Sequence, residues 1–112
     1  METGVACYGT NSTILFDDFC NSKKCNLFTC DIRLQPIVNL NKILSNKTTL
    51  FKMNSLQFLK ILKKKNVNAD FIYLDSFDLE PGQFNLCIKH GYNEFLLADK
   101  ILNKGGLILI DD

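Results

Sequence analysis

Asp70-Phe71-Ile72-Tyr73-Leu74 (DFIYL) is the clearest strand in this 112-residue chain. Its aromatic and β-branched residues favour extended backbone, and the run is too short for a buried helix. An acidic loop containing Pro81-Gly82 follows it, from Asp75 to Gly82. Upstream, Asn54 with Gln57 resembles a capping box opening a helix that holds Leu56, Leu59 and Leu62. Thr48 to Met53, again β-branched and aromatic, reads as the strand before that helix.

The same alternation continues toward both ends. Gln35 to Leu44 carries Ile37, Leu40, Ile43 and Leu44 at helical spacing after a proline suited to a first turn. Asn26 to Ile32 (NLFTCDI) reads as a buried strand. Asn11 or Ser12 can cap an earlier helix with Ile14, Leu15, Phe16 and Phe19 on its apolar face, broken by polar Asn21 to Asn26. Met1 to Cys7 reads as the tail of a strand entering a turn at Tyr8-Gly9. Beyond the acidic loop, Asn93 to Asn103 predicts a helix with Phe95, Leu96, Ala98 and Leu102 on one stripe. Gly91 counts against extending it upstream, because a mid-helix glycine costs about 1 kcal/mol against alanine. Gly105-Gly106 would end it, and Leu107 to Ile110 (LILI) reads as a last buried strand.

Strands alternating with helices predict an α/β fold with a parallel sheet, built as a single domain over residues 1–112. Composition agrees: 46% hydrophobic with 22% charged residues is globular rather than disordered. A net charge of +1 offers no basic surface for nucleic acid or membrane. Lys60 to Lys65 reads as a solvated helix end rather than a phosphate patch. Cysteines at 7, 20, 25, 30 and 87 lack the tight spacing of zinc sites, and an odd count implies thiols in a reducing compartment. No apolar run nears the roughly 18 residues that span a bilayer, so the expected location is cytoplasmic.

In open parallel sheets, ligands bind beyond the carboxyl ends of the strands. Polar residues gather at those positions: Gly4 and Gly9, then Asp31, Asn54, Asp75 and the pair Asp111-Asp112. Glycine lets backbone approach a ligand with no Cβ in the way. Asp31 follows Gly9 by 22 residues, and a carboxylate ending the second strand suits two ribose hydroxyls. Together they point to nucleoside binding.

In order, ETGVACYGTNST, FTCDI, NSLQFL, DFIYLDSFD and LNKGGLILIDD resemble the class I S-adenosylmethionine-dependent methyltransferases. The similarity is to the group with an E-T-G-x-x-x-G-x-S-type first motif (methyltransferase domain 24-like) and a final G-G-x-I-x-x-D segment. The resemblance implies a Rossmann-like parallel sheet of order 3-2-1-4-5 in a three-layer α/β/α sandwich. It implies that Glu2, Gly4, Gly9 and Ser12 border the methionine part of the cofactor, that Asp31 holds the ribose and that Ile32 packs on adenine. Asn54 and Ser55 would lie near the adenine amino group, and Asp75 would border the methyl-transfer face. Family members have a longer first strand and continue past the fifth, so the resemblance also implies sequence missing on both sides.

Asp75, Asp111 and Asp112 match positions where metal-dependent relatives hold a divalent cation, which would be magnesium or calcium; solvated loop acids are the plainer reading. Asp75 or His90 could accept a substrate proton, although a lone histidine between Lys89 and Gly91 also reads as a surface residue. The methyl acceptor is not legible. A nicotinamide-dependent oxidoreductase, or a remnant that binds cofactor without turnover, are the alternatives. The fifth strand, if last, leaves an apolar edge open to self-association.

Overall fold

The computed structural model describes residues 2–4, 12–31, 43–75, 82 and 84–110. Their elements are β1 (Glu2–Gly4), α1 (Ser12–Lys23), β2 (Leu27–Asp31), β3 (Thr48–Lys52), α2 (Ser55–Lys64), β4 (Ala69–Asp75), α3 (Phe84–Ile101) and β5 (Leu102–Ile110). This is an α/β protein in which every described ladder is parallel. One sheet has the order β1-β4-β5 and a second pairs β2 with β3. β1 also runs close beside β2, but no ladder joins those two among the described residues.

β4 explains how the helices are distributed. Successive side chains of a strand point to opposite faces. Phe71 and Tyr73 meet Phe16 of α1, with ring centroids 5.9 and 5.6 Å apart. Ile72 and Leu74 point the other way, into a core with Phe58, Leu59 and Leu62 of α2 and Ala98 and Ile101 of α3. Phe58 is fully buried, and burying a side chain of that size contributes roughly 1.5–3 kcal/mol.

α2 starts and stops by recognisable local chemistry. Asn54 is its N-cap, its side-chain oxygen accepting the Gln57 amide at 2.9 Å. At the other end Asn66 takes the left-handed conformation (φ 59°). The Asn66 amide then donates to the Lys63 carbonyl and the Val67 amide to that of Leu62. That pattern turns the helix sharply into the next strand. α1 ends in the same way, with Lys24 at φ 59° and the Cys25 amide donating to the Cys20 carbonyl.

Four sequence expectations are corrected. The face that α1 buries is Thr13, Asp17 and Cys20 with half-buried Phe16, whereas Leu15 and Phe19 are exposed. Asp17 is kept there by its partners: it accepts the Ser45 amide and hydroxyl at 3.1 and 2.7 Å and the Thr48 hydroxyl at 2.5 Å. α3 runs upstream through Gly91 to Phe84, and its buried stripe is Glu94, Ala98 and Ile101 rather than Phe95 and Leu96. Gly105 and Gly106 do not end that helix. They lie inside β5, where the pairing jumps from Ala69↔Leu102 to Phe71↔Leu107, and Gly105 takes φ 82°. Finally, LILI is not buried among the described residues: Leu107, Leu109 and Ile110 are exposed, because α1 lies over β4 and not over β5.

Thr48–Lys52 matches the expected third strand except for Met53, and β2 begins one residue after the expected Asn26, while Ile32 lies outside the described residues. The helix expected over 35–44 lies mainly outside the described residues, and Ile43 and Leu44 are not helical. Lys60, Lys63, Lys64 and Lys65 are exposed on or beside the end of α2, as a solvated run should be. None of the described cysteines, 20, 25, 30 and 87, forms a disulfide. No helix among the described residues is long and apolar enough to cross a membrane.

Candidate functional site

The carboxyl ends of β1 and β4 lie side by side, and so do those of β2 and β3. β1 pairs with β4 so that Gly4 stands opposite Asp75, the last residue of that strand. β2 ends at Asp31, which is 4% exposed, and its carbonyl accepts the Met53 amide at 3.0 Å. Asn54 and Ser55 follow at once, as cap and first residue of α2. Gly4 and Asp75 therefore share the end of one strand pair, Asp31, Asn54 and Ser55 follow the end of the other, and Glu2 opens β1. Ser12 opens α1. Gly9, Ile32, Asp111 and Asp112 lie outside the described residues.

Two residues singled out separately in the sequence are brought together. Ser55 Oγ and His90 Nε2 lie 3.1 Å apart, across the packed faces of α2 and α3. The same Nε2 lies 3.3 Å from Oε2 of Glu94, one helical turn further on. Ser55 and Glu94 are buried, and His90 is half-buried. His90 is thus no lone surface histidine.

That arrangement limits the chemistry. In a serine–histidine–acid relay the acid orients one ring nitrogen while the hydroxyl faces the other. Here hydroxyl and acid share a single nitrogen, so the acid cannot serve as the orienting member of such a relay. The cluster ties the first turn of α2 to α3, and a base role for His90 would have to use Nδ1. Asn54 is also partly committed, since its side-chain oxygen caps α2.

Glu94 was not foreseen. The signal was present as His90-x-x-x-Glu94, a spacing that faces one side of a helix. A helix expected to begin at Asn93, past Gly91, leaves His90 off it and hides that spacing. Among the described residues, no group of three His, Cys, Asp or Glu side chains could hold a metal ion. Cys20 is not a reactive thiol: burial first, then its hydrogen bond and proximity to Cys25, push it up to about 11.

Compared with protein-family models the chain gives no match, and none of the curated proteins searched matches it either.

Proposed function

We propose that this chain is the cofactor-binding part of a class I methyltransferase, using S-adenosylmethionine, in a Rossmann-like sheet of order 3-2-1-4-5 between two helical layers. The observation that carries this reading is that Gly4 and Asp75 end one parallel pair, that Asp31, Asn54 and Ser55 follow the end of the other, and that β1 runs beside β2. β1 lies beside both β2 and β4, which is what that strand order requires. α1 packs on one face of β4 and α2 with α3 on the other, as two helical layers require.

The cofactor supplies an electrophilic methyl group on a sulfonium. The chain's own part is to position it. Asp31 accepts the two ribose hydroxyls, a pairing that a buried carboxylate favours strongly. Gly4 lets the strand approach the methionine portion without steric conflict. Asp75 borders the acceptor side and can take the proton that the nucleophile releases. Alignment of two reactants accounts for much of the rate in such a site, which needs no covalent nucleophile.

Equilibrium binding of S-adenosylmethionine, its demethylated product and a nicotinamide dinucleotide tests the reading. The first two should bind, and Asp31→Ala should weaken them by about 1–3 kcal/mol by removing a charged acceptor. Asp31→Asn, closer in shape, provides the same comparison if the alanine variant fails to fold. Lys64→Ala, on the solvated end of α2, should change nothing. Preference for the nicotinamide dinucleotide, or equal affinity of both folded Asp31 variants and the parent, would reject the assignment.

A further inference from the structure

The turn between α1 and β2 brings two cysteines together. Cys20 lies in the last turn of α1, and Lys24 beyond the helix takes the left-handed conformation (φ 59°). The chain then folds back, so that the Cys25 amide donates to the Cys20 carbonyl at 3.0 Å. Such a closure sets the side chains at its two ends against each other. Here both ends are thiols, and the two are hydrogen-bonded to one another.

The backbone is already at bridging distance. Covalent lengths on either side of that hydrogen bond hold the two Cα atoms within about 7 Å, the outer limit for a disulfide made without backbone movement. The two thiols differ in access, Cys20 being buried and Cys25 half-buried. Burial first, and then the Cys25 thiol, push Cys20 up to about 11, so it keeps its proton and does not attack a passing reagent. It can still resolve a bond formed on the sulfur beside it, because contact makes that step intramolecular. Cys30 stands apart in the core with Phe58 and Leu62, and Cys87 lies on α3.

We propose that Cys20 and Cys25 are a redox-switchable dithiol, closed to an intramolecular disulfide by a small-molecule disulfide such as that of glutathione. The inference does not depend on the methyltransferase reading. The Cys25 thiol, losing its proton, attacks one sulfur of the reagent and releases the first glutathione thiolate. The Cys20 sulfur, losing its own, then attacks the Cys25 sulfur of the mixed disulfide, breaks its bond to glutathione and expels the second thiolate. Two cysteine thiols are oxidised, one glutathione disulfide is reduced, and the two protons end on the released thiolates. So short a closed loop restrains the unfolded chain less than a long one would, which suits a switch better than a permanent staple. The bond locks the turn that leads into β2, the strand that ends at Asp31.

Trypsin cuts after Lys23 and Lys24, between the two cysteines, so only the bridge can hold their peptides together. Chymotrypsin, cutting at Phe16, Phe19 and Phe28, separates them from Cys7 and Cys30. The whole chain is equilibrated in glutathione buffers of rising disulfide content, quenched in acid, alkylated, digested with both proteases and mapped by mass. A linked Cys20–Cys25 peptide should form, with both thiols lost together and Cys87 in no bridge. Cys20→Ser should leave Cys25 carrying glutathione, and Cys25→Ser should lower oxidation of Cys20 by about tenfold in the same buffer. The bridge should form at about tenfold less glutathione disulfide than in concentrated urea, where the turn is gone. Absence of the linked peptide overturns the proposal, whether Cys25 carries glutathione or stays reduced, and leaves the pair as packed thiols. Linkage of Cys20 to Cys7 or Cys30 instead, or equal bridging in urea, overturns it as well.

Discussion

An ideal Cβ built at Gly106 would lie 2.8 Å from the Asp70 carbonyl oxygen and 2.9 Å from that of Asn103. Both are backbone atoms, so neither can swing aside. Gly106→Ala should therefore lower stability by about 1–3 kcal/mol, read as a lower urea midpoint. An unchanged midpoint would mean that the irregular start of β5 yields freely. Asp17 is the other residue with an outsized local role, joining α1 to the turn before β3. Burial alone would raise its carboxyl, but hydrogen bonds from Thr48 and Ser45 outweigh that and hold it below 3.8. A depressed folded value contributes stability that is present above the unfolded value, and it is lost as pH falls through the folded one. Thermal stability should accordingly drop on acidification below about pH 4, and Asp17→Asn should flatten that part of the profile. Equal slopes for parent and variant would remove Asp17 from the acid response.

At the scale of the element, α3 carries a residue that weakens it. Gly91 sits mid-helix, and a Cβ there meets nothing within 4 Å. Gly91→Ala should raise stability by up to about 1 kcal/mol, seen as a higher melting temperature. A lower melting temperature would show that the helix needs the glycine. The helix ends carry a lesson about reading sequence. A stop signal is usually sought in glycine, and the sequence reading duly ended α3 at Gly105-Gly106. The chain instead uses Lys24 and Asn66 in the left-handed conformation to end α1 and α2, and places Gly105 and Gly106 in a strand. Helix termination here is set by where the next parallel strand must begin, which local composition does not encode.

At the scale of the molecule, the outer strand stands out. β5 pairs only with β4 among the described residues, and Leu107 and Leu109 are 68% and 51% exposed. Such an edge is a template for further pairing. Sedimentation should show concentration-dependent self-association, and Leu107→Lys combined with Leu109→Lys should suppress it. A monodisperse parent at high concentration would contradict this.

Much of the architecture was legible because hydrophobic period depends on local geometry alone. DFIYL, FTCDI and TTLFK alternate or run apolar at strand length, and Asn54 announces α2 three residues ahead of the amide that it caps. The polar ends of those strands were legible for the same reason. What tertiary structure decided were the contacts between elements far apart in sequence. Asp17 is buried because Ser45 and Thr48 arrive beside it, and neither is predictable from the helix that carries it. Ser55, His90 and Glu94 converge only because α2 packs on α3, which turned an ordinary histidine into part of a buried cluster. The exposure of LILI was likewise decided by which strand α1 covers. An apolar strand has the same sequence whether or not a neighbour covers it, so only the packed molecule separates the two.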